Sequence, residues 1–312
     1  MQKLPHKVLT YAEHASDIIA TAADLIGRGQ PFALITSLAI EGGAAREIGS
    51  LALVVASGEM HGYLSNGCID RDIHIHAMAA LESGDKKLIS YGNGSRFADL
   101  KLPCGGALDV LINPTPDVGA ILAANADFAA RRPATLQFAV EGRSTAFTYM
   151  PRFRLCLAGR GAIFRSVAQA GSATGFDICL LSPDTTDLAA VEQLASQPPI
   201  HLVSLQQADG MEMLDEYAAF LTLFHDHDWE PGLLQAALTT DALFIGSLGS
   251  RRTHDMRRET LRERGVPETE LSRLRGPIGL VPSLRNASFI ATSALAEIVA
   301  ALPKEIQHSD DA

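Results

Sequence analysis

The sequence predicts an α/β protein: an N-terminal mixed α/β domain followed by a Rossmann-like domain with a doubly wound parallel sheet. From residue 154 onward, apolar strand segments alternate with helical segments, the pattern of parallel strands joined by crossover helices. Before residue 116, β-rich segments are separated by short turn compositions, which is typical of neighbouring, partly antiparallel strands. At 312 residues the chain is long enough for two hydrophobic cores.

These changes of pattern predict the domain boundaries. We expect an N-terminal domain over residues 1–116, a connecting helix and hairpin over 117–152, the Rossmann-like domain over 153–303 and a tail over 304–312. The last residues, from His308, are expected to be frayed.

In the N-terminal domain, an amphipathic helix over 11–28 comes first and a second helix follows Cys68. Ile69, Ile73 and Ala77 fall on one helical face, and Gly84 is a stop signal. Strands are predicted over 32–40, 50–56, 60–65, 86–91 and 107–113, with a polar loop over 92–103.

In the Rossmann-like domain, the first helix, over 162–174, follows a glycine turn and the last spans 286–302. Loops that leave parallel strands open on one edge of the sheet. We therefore expect the loops 159–161, 225–228 and 246–252 to converge on one cleft. The predicted strands span 155–158, 178–181, 201–205, 218–224 and 242–247.

Composition narrows the class of protein. The formal net charge of −10 argues against a general nucleic-acid binder, since phosphate contacts need clustered Lys and Arg. No apolar run reaches the about 18 residues of a membrane span, and no secretory signal pattern is present, so we expect a cytoplasmic protein. The four cysteines are far apart and form no CxxC pair, which favours free thiols over a disulfide framework or zinc ribbon.

Two cysteines lie beside glycines at predicted strand edges. Cys68 follows Gly67 and precedes Asp70, and Cys104 precedes Gly105 and Gly106. Glycine lets amide N–H groups turn outward as an anion-binding concavity, and the start of a helix favours a thiolate. The alternative is a small buried side chain, because free cysteine is among the most buried residue types. Cys156 and Cys179, inside apolar strands, are predicted to be core residues.

Three loops of the second domain carry candidate binding residues. Gly159 and Gly161 match only part of the dinucleotide fingerprint, because Phe164 stands at the third glycine position and Ser182 where an acid would hold the ribose, so NAD(P) binding is not expected. His225, Asp226 and His227 could reach a metal or move a proton, or could be a solvated strand end. A helix start after Gly249, Ser250, Arg251 and Arg252 could hold a phosphate or pterin-like anion; the alternative is a solvated arginine pair.

Taken together, these motifs resemble the XdhC/CoxI family of xanthine dehydrogenase accessory proteins. The resemblance is carried by Gly-Tyr-Leu-Ser-Asn-Gly-Cys-Ile-Asp at 62–70, Cys-Gly-Gly at 104–106, Gly-Arg-Gly at 159–161, His-Asp-His at 225–227, Ile-Gly-Ser-Leu-Gly-Ser-Arg-Arg at 245–252 and Pro-Ile-Gly-Leu at 277–280. Asn66 and Asp70 depart mildly from the family pattern at the Cys68 loop, where Gly and Glu are usual.

The resemblance implies a cofactor chaperone rather than a catalyst. Such a protein binds molybdenum cofactor transiently, supports its sulfuration by a cysteine desulfurase or other sulfurtransferase, and delivers it to an apo molybdenum hydroxylase of the xanthine dehydrogenase type. It also implies a homodimer, and a cofactor site without a resident metal or catalytic residues. Two other readings stay open: an NAD(P)-dependent oxidoreductase that uses the Rossmann-like cleft, and a scaffold that docks a sulfurtransferase to the target enzyme.

Overall fold

A computed structural model describes residues 9–92, 106–140, 142–226 and 228–310. The chain forms two compact units: the first comprises Met1–Pro151 with Lys304–Ala312, and the second is Arg152–Pro303. Within the described ranges, no helix combines the length and apolar character needed to cross a bilayer. The predicted fold class, a mixed α/β unit followed by a Rossmann-like unit, is confirmed.

The first unit is built on a mixed sheet with the strand order β1-β4-β3-β2-β6-β5. Of its predicted strands, the one expected over 60–65 is shorter, since pairing ends at His61. Its elements are β1 Leu9–Thr10, α1 Ala15–Gly27, β2 Phe32–Glu41, β3 Leu51–Val55, β4 Met60–His61, α2 Asp70–Ser83, β5 Lys87–Tyr91, β6 Ala107–Asn113, α3 Val118–Ala129, β7 Ala134–Val140 and β8 Arg143–Tyr149.

Alternate residues of the central strand β2 build two cores on opposite faces of this sheet. Phe32 and Leu34 pack in the cluster that contains α1 and α3, whereas Ala33 and Ile35 pack in the cluster that contains α2. This alternation follows from the two-residue period of a strand. It fixes which face of the sheet α2 covers.

The second unit is a parallel sheet in the order β11-β10-β9-β12-β13-β14. In chain order this is the arrangement 3-2-1-4-5-6 of the dinucleotide-binding Rossmann fold, with the order reversing between β9 and β12. Its elements are β9 Arg154–Gly159, α4 Gly161–Ala173, β10 Asp177–Ser182, α5 Thr185–Val191, β11 Ile200–His201, β12 Ala218–Leu223, α6 Glu230–Ala237, β13 Phe244–Ser247, α7 Arg251–Glu263, α8 Glu268–Leu271, β14 Leu274–Arg275 and α9 Ala287–Ala301.

Helices cover both faces of the second sheet. On one face, Cys156 and Phe220 pack with residues of α6 and α7; on the other, α4 packs on β9 and β10 and against α9. The predicted strand over 201–205 is wrong beyond His201, where regular pairing ends.

The end of the described chain returns to the first unit as a strand. β15, Ile306–Asp310, pairs antiparallel with β8, and together with β7 they form a small second sheet in the order β15-β8-β7. The expectation that residues from His308 onward are frayed is therefore wrong through Asp310. The backbone of β15 is held by strand pairing with β8. Local sequence patterns do not reveal this pairing, because β8 lies more than 150 residues away in the chain.

Candidate functional site

In the first unit, the Cys68 loop and the start of β6 lie at the same edge of the sheet. β2, β4 and β5 run in one direction and β3 and β6 in the other. The carboxyl ends of β4 and β5 therefore share an edge with the amino end of β6. The hydroxyl of Tyr91, at the end of β5, donates to Asp72 Oδ2 in the first turn of α2 at 2.7 Å. This bond ties the start of α2 to the end of β5.

Gly106 closes this edge by a close backbone approach. A Cβ on Gly106 would lie 2.6 Å from the carbonyl oxygens of Glu41 and Gly43, and a Cβ on Gly92 would lie 2.2 Å from the Gly106 oxygen. Glycine at position 106 is therefore required by packing. Cys104 and Gly105, the other predicted members of this loop, lie outside the described residues.

Asp70 organises the loop that carries Cys68. The Asp70 side chain is buried; its Oδ1 accepts the N–H groups of Leu64 (2.8 Å) and Ser65 (3.2 Å). Its Oδ2 accepts the Ser65 hydroxyl (2.9 Å) and the Gly67 N–H (2.6 Å). The expectation that the Gly67 amide turns outward is wrong, because Gly67 adopts φ +93° and points this N–H at the buried carboxylate. The structure gives Asp70 a positioning role.

Cys68 is held in place by the same frame. Its N–H donates to the Ser65 carbonyl at 3.2 Å, and the Ile69 N–H donates to the Ser65 hydroxyl at 2.8 Å. Ile69 is the N-cap of α2, so the half-buried Cys68 directly precedes the cap. Cys156 and Cys179 are buried, as predicted. Hydrogen bonding with Cys179, together with burial, raises the pKa of Cys156 well above its usual value.

In the second unit, the loops after β9, β12 and β13 leave one edge of the sheet, as predicted, because these strands are parallel. Gly159 allows β9 to approach β12, since a Cβ there would lie 2.7 Å from Leu223 Cβ. Gly161 has φ +78° and donates its N–H to Asp187 Oδ2 at 2.5 Å. Asp187 Oδ1 accepts from Arg165 Nε at 2.5 Å. Both glycines thus have structural reasons to be present.

The His225 loop meets the glycine turn through an ion pair. Asp226 Oδ2 accepts from Arg160 Nη2 at 2.6 Å, whereas buried Asp226 Oδ1 has no hydrogen-bond partner among the described residues. His225 is exposed, and His227 lies outside the described residues. Within the described ranges, no group of three or more His, Cys, Asp or Glu residues is placed to hold a metal ion.

Arg251 and Arg252 face different cavities, although the sequence suggested that they act together. Arg251 lines a cavity of about 620 Å³ with Gly249, Ser250 and the segment 277–284. Arg252 lines a separate cavity of about 250 Å³. The hydroxyl of Ser250 caps α7 by accepting the Thr253 N–H at 3.1 Å. Only Arg251 of this pair is placed beside the larger cavity.

The segment 277–284, which also lines the larger cavity, is fixed by polar contacts to α9. The Gly279 N–H donates to Glu297 Oε2 at 2.5 Å, and the Val281 N–H donates to the Ser293 hydroxyl at 2.8 Å. Leu280 and Val281 remain exposed. The segment that resembles the family's Pro-Ile-Gly-Leu element therefore forms a supported wall with apolar side chains at its rim.

A buried ion pair beneath these loops was missed by the sequence reasoning. Glu230 and Arg257 are 1% and 5% exposed, and Arg257 Nε and Nη2 donate to the Glu230 carboxylate at 2.8–3.0 Å. Glu230 Oε1 also accepts from the hydroxyls of Thr222 (3.1 Å) and Ser247 (3.2 Å). Arg257 Nη2 further donates to the Leu248 carbonyl at 2.9 Å, which anchors the loop before Ser250. Thr222 and Ser247, polar residues in apolar strands, were the available signal.

His254 lies one turn before Arg257 on α7 and is partly buried against Gly276. Partial burial, followed by the nearby charges of Arg257 and Arg258, lowers the pKa of His254. A Cβ on Gly276 would lie 2.2 Å from His254 Nδ1, so glycine is required where the chain passes the imidazole. This contact fixes the approach to the 277–284 segment from the side of α7.

Comparisons with known proteins agree with this architecture. A model of the XdhC and CoxI family matches residues 25–92, and a model of the XdhC Rossmann domain matches residues 155–298. The molybdenum cofactor insertion chaperone PaoD of Escherichia coli is 28% identical over 310 residues, which covers 94% of this chain and 90% of PaoD. The uncharacterised protein YqeB of Escherichia coli is 26% identical over 91% of this chain, and the chain spans 46% of YqeB.

A solved structure shows the same fold. A Bacillus halodurans protein described as a xanthine dehydrogenase matches with a TM-score of 0.72 at 19% identity, covering 91% of this chain and 95% of the other. These features define a class of α/β proteins with two units: a mixed-sheet unit that carries Cys68 before a helix, and a Rossmann-like unit. The two matching models lie in order along most of the chain, and the chain belongs to the XdhC and CoxI family.

Proposed function

We propose that this chain binds molybdenum cofactor and delivers it to an apo molybdenum hydroxylase of the xanthine dehydrogenase type. The observation that carries the proposal is the similarity to PaoD, a molybdenum cofactor insertion chaperone, over 94% of this chain. Membership of the XdhC and CoxI family supports the same role. In this role the chain is a carrier rather than a catalyst.

The cavity beside Arg251 suits the phosphate and pterin end of the cofactor. Its volume of about 620 Å³ falls within the roughly 300–1,000 Å³ of small-molecule sites. Arg251 supplies a guanidinium at the start of the 13-residue helix α7, where positive charge and the helix dipole both favour a phosphate. Ser250 adds a hydroxyl, and the apolar residues of 277–284 offer a surface for a flat ring system.

The thiol of Cys68 suits a soft metal centre. Thiolate is the ligand type that soft metal ions prefer, and the bound cofactor would supply the molybdenum that the client enzyme needs. Cys68 is half-buried at the start of α2, and Asp70 and Ser65 hold its loop in one conformation. Cys104 stays a second candidate for the same task. The first unit therefore offers a thiol for the metal and the second unit a guanidinium for the phosphate, and the two assignments have separate tests.

The test of the phosphate assignment is retention of cofactor by the purified full-length protein. Molybdenum content and pterin fluorescence are measured for wild type, Arg251→Gln and the matched control Arg252→Gln. We expect Arg251→Gln to lower retention about tenfold or more, since a charge-assisted hydrogen bond contributes about 1.5–3 kcal/mol. Arg252→Gln, which lines the other cavity, should retain the cofactor. Absence of retention by wild type, with unchanged hydroxylase maturation after gene deletion, would reject the proposal.

Serine substitutions of Cys68 and Cys104 distinguish a carrier from a scaffold. A carrier should lose cofactor loading while keeping its contact with the client enzyme. A scaffold that only docks a sulfurtransferase should keep both client binding and maturation activity. Pull-down of client and desulfurase, together with hydroxylase activity in a complemented deletion strain, reads out the two steps.

Three further parts of the proposal have direct measurements. Sulfuration by a cysteine desulfurase or other sulfurtransferase predicts transfer of labelled sulfur to cofactor held by this chain. A homodimer predicts twice the chain mass in light scattering. The oxidoreductase reading predicts saturable heats with NAD, NADH, NADP or NADPH, and flat titrations would remove it.

A further inference from the structure

The N-terminus of α4 is the place where a dinucleotide-binding Rossmann domain holds its pyrophosphate. In that fold, the first strand leads through a glycine turn to a helix whose amides point at the phosphates. Here β9, the turn at 159–161 and α4 occupy those positions, beside the point where the strand order reverses. The group found at the first amide of α4 is the carboxylate of Asp187, which contacts the Gly161 N–H and the Arg165 guanidinium.

We infer that Asp187 is an internal anion that closes the phosphate site of the Rossmann-like unit against dinucleotides and other pyrophosphate-bearing ligands. The carboxylate takes both the amide and the guanidinium that a phosphate would use. An incoming phosphate would have to displace a bound anion and would meet its negative charge. Asp187 is thus a specificity-determining residue of this edge.

The Asp187 carboxylate is positioned by the capped first turn of α5. Asp187 lies in the first turn of α5 and is 4% exposed. The Asp184 side chain caps α5 by accepting the N–H groups of Thr186 (2.8 Å) and Asp187 (3.1 Å). The hydrogen bond from the Asp187 backbone is the leading cause of a lowered pKa for Asp184. The cap therefore holds the turn that aims Asp187 at α4.

Two further positions fit closure rather than dinucleotide binding. Phe164 is fully buried where the third glycine of the fingerprint would stand. Ser182, where an acid would hold a ribose, is also fully buried, and its hydroxyl accepts the Asp184 N–H at 3.0 Å. Gly159 and Gly161 are explained by the approach to Leu223 and by the positive φ, without a ligand. At this edge, a buried serine thus takes the place of the acid that would hold a ribose, and the Gly161 N–H is already bonded to Asp187.

The test uses inorganic pyrophosphate, because it requires only the phosphate contacts and none to a ribose or nicotinamide. Calorimetric titration compares full-length wild type, Asp187→Ala and Asp187→Asn. Asp177→Ala is the matched control, since Asp177 pairs with Arg154 at 2.8 Å at the opposite edge of the same sheet. Circular dichroism and thermal unfolding verify that each variant is folded.

We expect pyrophosphate to bind Asp187→Ala at least about tenfold more tightly than wild type, because an amide at a helix start and a guanidinium are freed while a negative charge is removed. Asp187→Asn should gain less, since its amide oxygen still accepts from the Gly161 N–H. Asp177→Ala should behave as wild type. If Asp187→Ala does not fold, the gain must still appear in Asp187→Asn.

The inference is overturned if the folded Asp187 variants bind pyrophosphate no better than wild type. It is also overturned if wild type binds pyrophosphate or NAD saturably and Asp187→Ala weakens that binding. Neither result bears on cofactor retention at the Arg251 cavity, so failure here is distinguishable from failure of the proposed function.

Discussion

The loops before α2 and α4 each follow a strand and contain a glycine whose N–H donates to an aspartate. The two aspartates come from different parts of the chain. Asp70 comes from the first turn of α2 itself, three residues after Gly67, and accepts four donors. Asp187 comes from another helix, 26 residues after Gly161, and accepts one amide and one guanidinium. A glycine loop at a helix start is thus open to an anion only if no carboxylate of the chain reaches it.

The start of α7 provides a contrast with both loops. Its cap is the hydroxyl of Ser250, a neutral group, and Arg251 lies at its first position beside a large cavity. At the start of α7, the Arg251 guanidinium lies beside a cavity and is available to a ligand. Before α2 and at the start of α4, by contrast, the glycine N–H groups are already bonded to carboxylates of the chain. For that reason the proposed phosphate contact is placed at α7.

The largest expected effect is on the Asp70 side of the comparison. Asp70→Ala leaves three amides and a hydroxyl in a buried loop without their acceptor, and each such loss costs about 1–3 kcal/mol. We expect the free energy of unfolding to fall by about 3 kcal/mol or more in urea titrations followed by circular dichroism. The control is Asp72→Ala in the same helical turn, whose partly exposed carboxylate accepts the Tyr91 hydroxyl. A loss of less than about 1 kcal/mol for Asp70→Ala, or an equal loss for Asp72→Ala, contradicts the role assigned to Asp70.

A smaller loss of stability is expected from Asp187→Ala. The Arg165 side chain is 39% exposed, so water can hydrate this guanidinium once the Asp187 carboxylate is removed. We expect a loss of about 1–2 kcal/mol, measured by the same urea titration and reduced at high salt. Equal losses for the Asp70 and Asp187 variants would remove the distinction between a loop that depends on its aspartate and one that is only closed by it.

The smallest effects concern the glycines themselves. Gly67→Ala and Gly161→Ala each place a side chain at positive φ, +93° and +78°, which costs about 1–2 kcal/mol. Among the described residues, no atom outside the local backbone lies within 4 Å of a Cβ built on Gly161, so the expected cost there is backbone strain. Gly27→Ala, at the end of α1, also has open space and no positive φ, and should change stability by less than about 0.5 kcal/mol. Thermal unfolding compares the three, and equal behaviour would argue against strain.

The sequence predicted the layers of the fold better than the contents of its edges. The strand Arg154–Gly159, for example, is a short apolar run with an arginine at one end and a glycine at the other, so its length and composition identify it. The parallel arrangement of the strands, and the departure of the three loops from one edge of the sheet, then follow from topology. The buried positions of Cys156 and Cys179 were also predictable, because both lie within such runs.

Long-range polar pairing could not be predicted in the same way. Arg257 reaches Glu230 across 27 residues, and Arg160 reaches Asp226 across 66. Hydrophobic periodicity locates a helix but does not say which carboxylate meets which guanidinium, since many pairings fit one pattern. The outward amide at Gly67 was predicted wrongly for a related reason: Asp70 looked like a ligand group, whereas its burial makes it the acceptor for its own loop.

The return of β15 to the first unit affects the order in which the protein can be completed. Tyr149 pairs with Ile306, and the Met150 N–H donates to the Glu305 carbonyl at 2.9 Å. The segment that ends the first part of the first unit is therefore hydrogen-bonded to the segment that follows the second unit. During synthesis, the ribosome must finish all of Arg152–Pro303 before the strand that completes the small sheet emerges. Until then, β8 is an exposed edge in the nascent chain, available to other strands. A rearranged gene in which the β15 segment is moved to directly after β8, joined to it by a short turn, would let that sheet close early.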